Sequence, residues 1–394
     1  MADILFLAHR VPYPPDRGDK IRSWHILKAL CERADVHVAA LCDDNRDMAH
    51  LRFLNRHAAT IAVFPRNTPR DEAALKALLF GGSASVRAFA NRDLAAYVLD
   101  VLNEQNIKTI FAFSGQMAQY VPTDLAGKRF VMDFVDMDSA KYAEWGKATG
   151  MGGAANRFES RRLFSFERET ARRAAVSTFV SAAEAALFRA QTGLGADKVQ
   201  VLENGIDLDH FAPDAVASAA RPGLVVFTGQ MDYAPNVEAV VDFVADVWPL
   251  VLRQVPQASF AIVGRNPTRE VQALASDSIT VTGEVPDTRV WLHQADCVVA
   301  PLKLARGVQN KVLEAMAMAR PVVASSAAAQ GIDARAGHEL LVADDADAVA
   351  AAILGLIADT SLANAIGRAA RARVEARYGW EAQLAHLPSL VGLA

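Results

Sequence analysis

The chain has 394 residues, 52% apolar and 22% charged, enough to bury a substantial core and too many for one small module, so two or three domains are expected. Its 41 basic and 45 acidic side chains leave a formal net charge of −4, which argues against a dedicated nucleic-acid binder with a strongly basic surface. The charge is unevenly shared: residues 1–200 carry 27 basic and 23 acidic side chains, residues 201–394 only 14 and 22.

The opening segment, MADILFLAHR, holds a short apolar run between Asp3 and the His9-Arg10 pair, so it reads as a buried strand and not as a secretory leader. No run approaches the roughly 18 uncharged residues of a spanning helix. VHVAAL (36–41), TIAVF (60–64), TIFAF (109–113) and RFVMDFVD (129–136) follow, and their continuous apolar character predicts parallel strands covered on both faces. Periodic stretches at 19–33 and 91–106 are long enough for the crossover helices a parallel sheet requires. After an irregular stretch at 203–223 the rhythm restarts with LVVFTG (224–229), FAIVG (260–264), ITVTG (279–283), CVVAP (297–301) and PVVAS (321–325). Four of these five runs end at Gly or Pro. One such glycine is ordinary turn punctuation, but as a set they mark the carboxyl ends of strands, where open α/β sheets bind ligands.

The fold class expected is therefore α/β, with two doubly wound Rossmann-like domains facing across a cleft. The first domain is placed at 1–205 and the second at 206–377. Residues 378–394 are read as a last helix packing back on the first domain, anchored by Tyr378 and Trp380. Cys31, Cys42 and Cys297 have no C-x-x-C spacing and read as packing residues of a reducing cytoplasm. The nine histidines show no metal-binding spacing, and no metal or other cofactor is expected.

The richest segment is RGVQNKVLEAMAMARPVVAS, from Arg306 to Ser325: a loop, a helix over about Asn310–Ala319, then a strand. Backbone amides of Gly307, Val308 and Gln309 at the helix start, with Lys311, suit a diphosphate. Glu314 lies three residues on, on the same face, and is suited to accept hydrogen bonds from sugar hydroxyls. An ordinary surface Lys–Glu pair has the same spacing. Gly229 and Gln230 after one strand, and Gly264 and Arg265 after the next, stand at strand ends of this half, and the family resemblance given below implies that they bind the donor.

LEAMAMARPVVAS, with NGID (204–207), GQMDYAPN (229–236), VGRNP (263–267), VTGEVPD (281–287) and the opening HRVPYPPDRGDKIRS (9–23), resembles retaining glycosyltransferases of family 4, which have the GT-B fold. Within that family the chain is similar to the bacterial sugar transferases associated with PEP-CTERM/exosortase and exopolysaccharide gene clusters. The resemblance implies a nucleoside diphosphate sugar, UDP- or GDP-linked, as donor, Glu314 on its ribose, and metal-independent chemistry in which the departing phosphate takes the acceptor's proton. The family's first glutamate is replaced by Arg306, which cannot accept from a sugar hydroxyl but can clamp a diphosphate, standing in for an arginine that many members carry where this chain has Gln230.

In the N-terminal loop, Gly18 and Asp19 are the donor-binding candidates, with Lys20 and Arg22 beside them. The resemblance puts a histidine near Ser114, Gly115 and Gln116, and this chain has none there. Among Asp133, Asp136 and Asp138, Asp136 is chosen to meet the acceptor hydroxyl, so that Arg306, Lys311 and Asp136 form the catalytic set. Residues 157–173, RFESRRLFSFERETARR, carry six arginines against three glutamates and read either as a solvated helix or as a membrane-surface segment. The expectation is a cytoplasmic sugar transferase, with peripheral contact at the inner face of the plasma membrane as an option that the basic segment offers, acting on a glycan or polyprenyl-linked acceptor. A nucleotide-sugar 2-epimerase and a non-catalytic nucleotide-sugar binder are the alternatives.

Overall fold

The computed structural model describes residues 3–15, 17–43, 45–216, 218–305 and 308–393, so Arg306 and Gly307 lie outside the described residues. The chain forms two units, Met1–Asn204 with Gln383–Ala394, and Gly205–Ala382.

The first unit is built on a parallel sheet of seven strands: β1 (Asp3–Ala8), β2 (Val36–Cys42), β3 (Thr60–Pro65), β4 (Ile107–Phe113), β5 (Arg129–Val135), β6 (Val176–Phe179) and β7 (Val199–Val201). Their order is β3-β2-β1-β4-β5-β6-β7. Ile4 through Ala8 are wholly buried, because helices cover both faces of the central strands; this is why the run is continuously apolar. The second unit holds β8 (Leu224–Thr228), β9 (Ser259–Val263), β10 (Ile279–Gly283), β11 (Cys297–Ala300), β12 (Val322–Ala324) and β13 (Leu341–Val342), in the order β10-β9-β8-β11-β12-β13, again parallel. Each unit has its own apolar core. Strand order reverses between β1 and β4 in one sheet and between β8 and β11 in the other, and at such switch points the carboxyl ends diverge and leave room for a ligand.

The crossing back to the first unit begins at Gln383 and not at Tyr378. Tyr378 is buried in the second unit's core, its hydroxyl accepts from the Asp333 amide at 2.5 Å, and its carbonyl accepts from the Ile206 amide at 2.7 Å. Trp380 lies against Gly205, where a Cβ would stand 2.5 Å from the tryptophan Cα. Both aromatics therefore close the second unit. The returning helix Leu387–Val391 is held by carbonyls: Thr109 Oγ1 donates to Val391 at 2.8 Å and Arg129 Nε to Leu390 at 2.6 Å.

No single helix among the described residues is long and apolar enough to cross a membrane. The consecutive helices Ala346–Ala358 and Thr360–Arg377 are apolar in sum, but Val349, Ile353, Leu356 and Ile366 lie in the second unit's core. Cys42 and Cys297 are buried and in no disulfide, and burial pushes the Cys31 thiol up to about 12, so none is poised as a nucleophile.

Candidate functional site

At the second switch point the helix Asn310–Ala317 brings Lys311 to the carboxyl end of β8. Lys311 Nζ donates to Asn236 Oδ1 at 2.5 Å and stands 4.2 Å from the centroid of the Phe227 ring. Asn236 is buried and turns its amide to the Gln230 carbonyl at 2.9 Å. Gly229 is glycine for a steric reason: a Cβ there would lie 3.0 Å from Lys311 Nζ and 2.8 Å from Asn236 Nδ2. A Cβ on Gly264 would stand only 1.6 Å from the Gly229 carbonyl oxygen, so the ends of β8 and β9 are packed backbone to backbone. Arg265, exposed, donates from Nη2 to Gln230 Oε1 at 3.1 Å. The place where the resemblance implies an arginine thus does carry a guanidinium, supplied by the neighbouring strand.

Gln309 is the N-cap residue of the helix, Val308 precedes it exposed, and the first-turn amides of Asn310 and Lys311 have no acceptor within the helix. Glu314 sits one turn on, half-buried, and among the described residues its carboxylate accepts no hydrogen bond. Burial pushes the Glu314 carboxyl up to about 7 against the attraction of Lys311, and burial brings the Lys311 ammonium down to about 8 against the attraction of Glu314. The result is a desolvated cation beside backbone donors and a carboxylate that accepts no hydrogen bond among the described residues, a set that fits an anion joined to a polyhydroxylated ring.

The N-terminal loop differs from its sequence reading. Asp19 accepts from Arg10 Nη1 at 2.7 Å, pairs with Arg17 Nε at 2.7 Å and meets His9 Nε2 at 3.1 Å. Burial opposes its ionisation, but the His9 bond and the two guanidiniums hold its carboxyl well below the usual carboxylate range. A carboxylate so engaged anchors the loop; it is not free for a donor. Lys20 is buried with Nζ 2.8 Å from Asp47. Arg22, 1% exposed, forks onto Asp133, 0% exposed, at 2.9 and 3.1 Å, so neither meets solvent or ligand. A Cβ on Gly18 would meet no protein atom within 4 Å, so packing within the chain does not require that glycine.

After β4 and β5, Gln116 Nε2 donates to Asp138 Oδ2 at 3.0 Å, and Lys141 Nζ bridges Asp136 at 2.7 Å and Asp138 at 3.2 Å. A cavity of about 690 Å³ opens here within the first unit, lined by Gln116, Asp138 and Lys141. Asp138, not the Asp136 chosen from sequence, lines it: Asp136 is turned to Lys141 outside the lining. Among the described residues no three His, Cys, Asp or Glu side chains gather as a metal site.

Residues 222–359, which hold the Lys311 cluster, match the family model described as Glycosyl transferases group 1. The crystal structure of Anabaena Alr3699/HepE in complex with UDP superposes on 100% of this chain and 100% of its own, with a TM-score of 0.67 at 18% identity. The fold is GT-B. In sequence, the lipopolysaccharide core biosynthesis mannosyltransferase LpcC of Rhizobium leguminosarum bv. viciae is 31% identical over 197 residues, 46% of this chain and 56% of LpcC. A GDP-mannose-dependent alpha-(1-6)-phosphatidylinositol monomannoside mannosyltransferase of Mycobacterium tuberculosis is 29% identical over 237 residues, 54% of this chain and 60% of that protein. The chain thus spans little more than half the length of the curated relatives it matches. In this GT-B chain the sequence reading had Lys311 and Glu314 and missed Asn236 and Phe227, which hold the lysine. Asn236 was legible as the last residue of GQMDYAPN, a polar side chain in the first turn of the helix Ala234–Asp242 that follows β8.

Proposed function

We propose that the chain is a retaining glycosyltransferase that moves a sugar from a nucleoside diphosphate sugar to a glycan or lipid-linked acceptor, in bacterial exopolysaccharide or cell-surface polysaccharide assembly of the PEP-CTERM/exosortase-associated kind. The observation that carries it is Glu314: a half-buried carboxylate with no hydrogen bond among the described residues, one turn from a desolvated lysine at a switch point. In this reading Lys311, the first-turn amides and Arg265 neutralise the diphosphate without a metal, and Glu314 accepts from the ribose. Arg306 would add a further guanidinium to that diphosphate. The bond from C1 to the phosphate oxygen breaks, the bond from C1 to the acceptor oxygen forms on the same face, and the acceptor's proton passes to the departing phosphate. Mannose is the sugar to try first, given the names of the two sequence relatives; UDP is the nucleotide the fold neighbour holds.

The test is thermal unfolding with GDP-mannose, UDP-glucose and related donors. A ligand at 100 times its Kd adds about 2.7 kcal/mol to stability, so one donor is expected to raise Tm in the wild type and not in Glu314→Ala. With membrane extract as acceptor source, that donor should release nucleoside diphosphate. Binding without release would favour the non-catalytic reading, and a sugar epimerised without transfer would favour the epimerase.

We also place the enzyme at a membrane surface through the helix Gly150–Arg173, whose Arg157, Arg161 and Phe158 are exposed. Co-sedimentation with anionic liposomes should weaken as salt rises. Absence from the pellet at every salt concentration would remove this part of the reading.

A further inference from the structure

The helix Arg70–Phe80 is inside out. Its small residues face the protein, Ala73 at 1% and Ala77 at 3% exposure, while Leu75, Leu78, Leu79 and Phe80 are 57%, 69%, 66% and 74% exposed. A helix facing only water shows the opposite arrangement. Four large apolar side chains on three turns form a patch that calls for an apolar neighbour.

That helix walls the 690 Å³ cavity, whose size is within the roughly 300–1,000 Å³ of small-molecule sites. Ala74, Ala77 and Leu78 line it together with Phe158 and Trp145, the last two 44% and 54% exposed. The apolar end of the cavity is therefore continuous with the exposed leucine ridge.

The other end is polar and reaches the carboxyl ends of β4 and β5. Ser114 and Val135 turn the chain there with φ of 73° and 69°, a left-handed conformation that a β-branched valine adopts only at a cost. These turns precede Gln116 and Asp138, which line the cavity with Lys141. The charges around this end are already compensated. Arg10 donates to Asp43 at 2.6 Å, Arg66 pairs with the same Asp43, Lys141 lies between Asp136 and Asp138, and Glu159 accepts from Ser83 Oγ and from the Ala84 and Ser85 amides. Arg10 also pairs with Asp19, so among the described residues each cation here has a carboxylate partner, and the site suits neutral hydroxyls better than a phosphate.

We propose that this cavity binds a glycolipid, its sugar hydroxyls against Gln116, Asp138 and Lys141 and its hydrocarbon chain along Ala74, Ala77 and Leu78. Calling this molecule the acceptor rests on the transferase reading; the site itself does not.

The test uses n-alkyl β-D-glucosides from butyl to octyl, each below its aggregation concentration, followed by calorimetry or by the tryptophan fluorescence change that is lost in Trp145→Phe. Each methylene entering the cavity should tighten Kd by about fourfold until the cavity is filled. Ala74→Trp, at an exposed helix position, narrows the cavity while adding apolar surface. It should weaken octyl glucoside at least tenfold with the circular dichroism spectrum unchanged. Unchanged or tighter binding by Ala74→Trp would mean adsorption to the leucine ridge and would overturn the site. Octyl phosphate binding more tightly than octyl glucoside would overturn the sugar assignment. A flat chain-length series in a protein that still binds nucleotide sugar sinks this site and spares the transferase. Chain-length-dependent binding in a protein that binds no nucleotide sugar supports the site and sinks the transferase.

Discussion

Lys311→Ala is expected to lower kcat for sugar transfer by about 10²–10³, the usual consequence of removing one preorganised group that meets developing charge. The lysine is partly desolvated by Phe227 and held by Asn236 Oδ1, so its position is fixed before any diphosphate arrives. Lys311→Arg, which keeps the charge, should recover part of the loss, whereas a structural role alone would predict no rescue. The pH profile adds a second check. Donor capture requires Glu314 ionised and Lys311 protonated, so kcat/KM should fall on the acid side as pH drops through about 7 and on the alkaline side as it rises through about 8. Once bound, the diphosphate raises the lysine pKa and the ribose hydroxyls lower that of the glutamate, so the kcat profile should be broader than that of kcat/KM. Glu314→Gln should abolish the acid limb; a kcat/KM flat from pH 6 to 9 in the wild type would exclude these two groups.

Asp133→Ala is expected to be the most destabilising single change in the first unit, by about 3–5 kcal/mol, because it strands the Arg22 guanidinium in the core. At about 2–4 °C per kcal/mol for a domain of this size, Tm should fall by roughly 6–20 °C. Besides the two bonds from Arg22, Asp133 Oδ1 accepts from Thr178 Oγ1 at 3.0 Å and from the Val135 amide at 3.2 Å. Adding Arg22→Met should restore part of the lost stability by removing the buried charge. It should not restore all of it, since Thr178 and Val135 would still lack their acceptor. A single substitution costing under about 1 kcal/mol by denaturant titration would show that water reaches the pair.

The central strands were legible because burial on both faces leaves apolar runs in them: residues 4–8 in β1, 110–113 in β4 and 224–227 in β8. β6 was not, since its VSTF buries Ser177 and Thr178, and Thr178 is tolerated only because Asp133 accepts its hydroxyl. The same limit governed the site. Lys311 and Glu314 declare themselves by spacing within one helix. Lys20 and Arg22 looked like loop chemistry because their partners are distant in sequence: Asp133 is 111 residues from Arg22, and Asp47 is 27 from Lys20. The cavity was invisible for a related reason. That Ala77 faces inward and Leu78 outward depends on what packs against the helix, and the segment RDEAALKALLF does not state it.

The return of the chain to the first unit at Gln383 makes the second unit, in topological terms, an insertion. Synthesis runs from the N-terminus, so all seven strands of the first sheet emerge long before the segment that finishes their unit. Until that segment arrives, Arg129 and Thr109 lack the Leu390 and Val391 carbonyls, while Gly205–Ala382 is uninterrupted and can fold as soon as it is made. The unit begun first is therefore completed last.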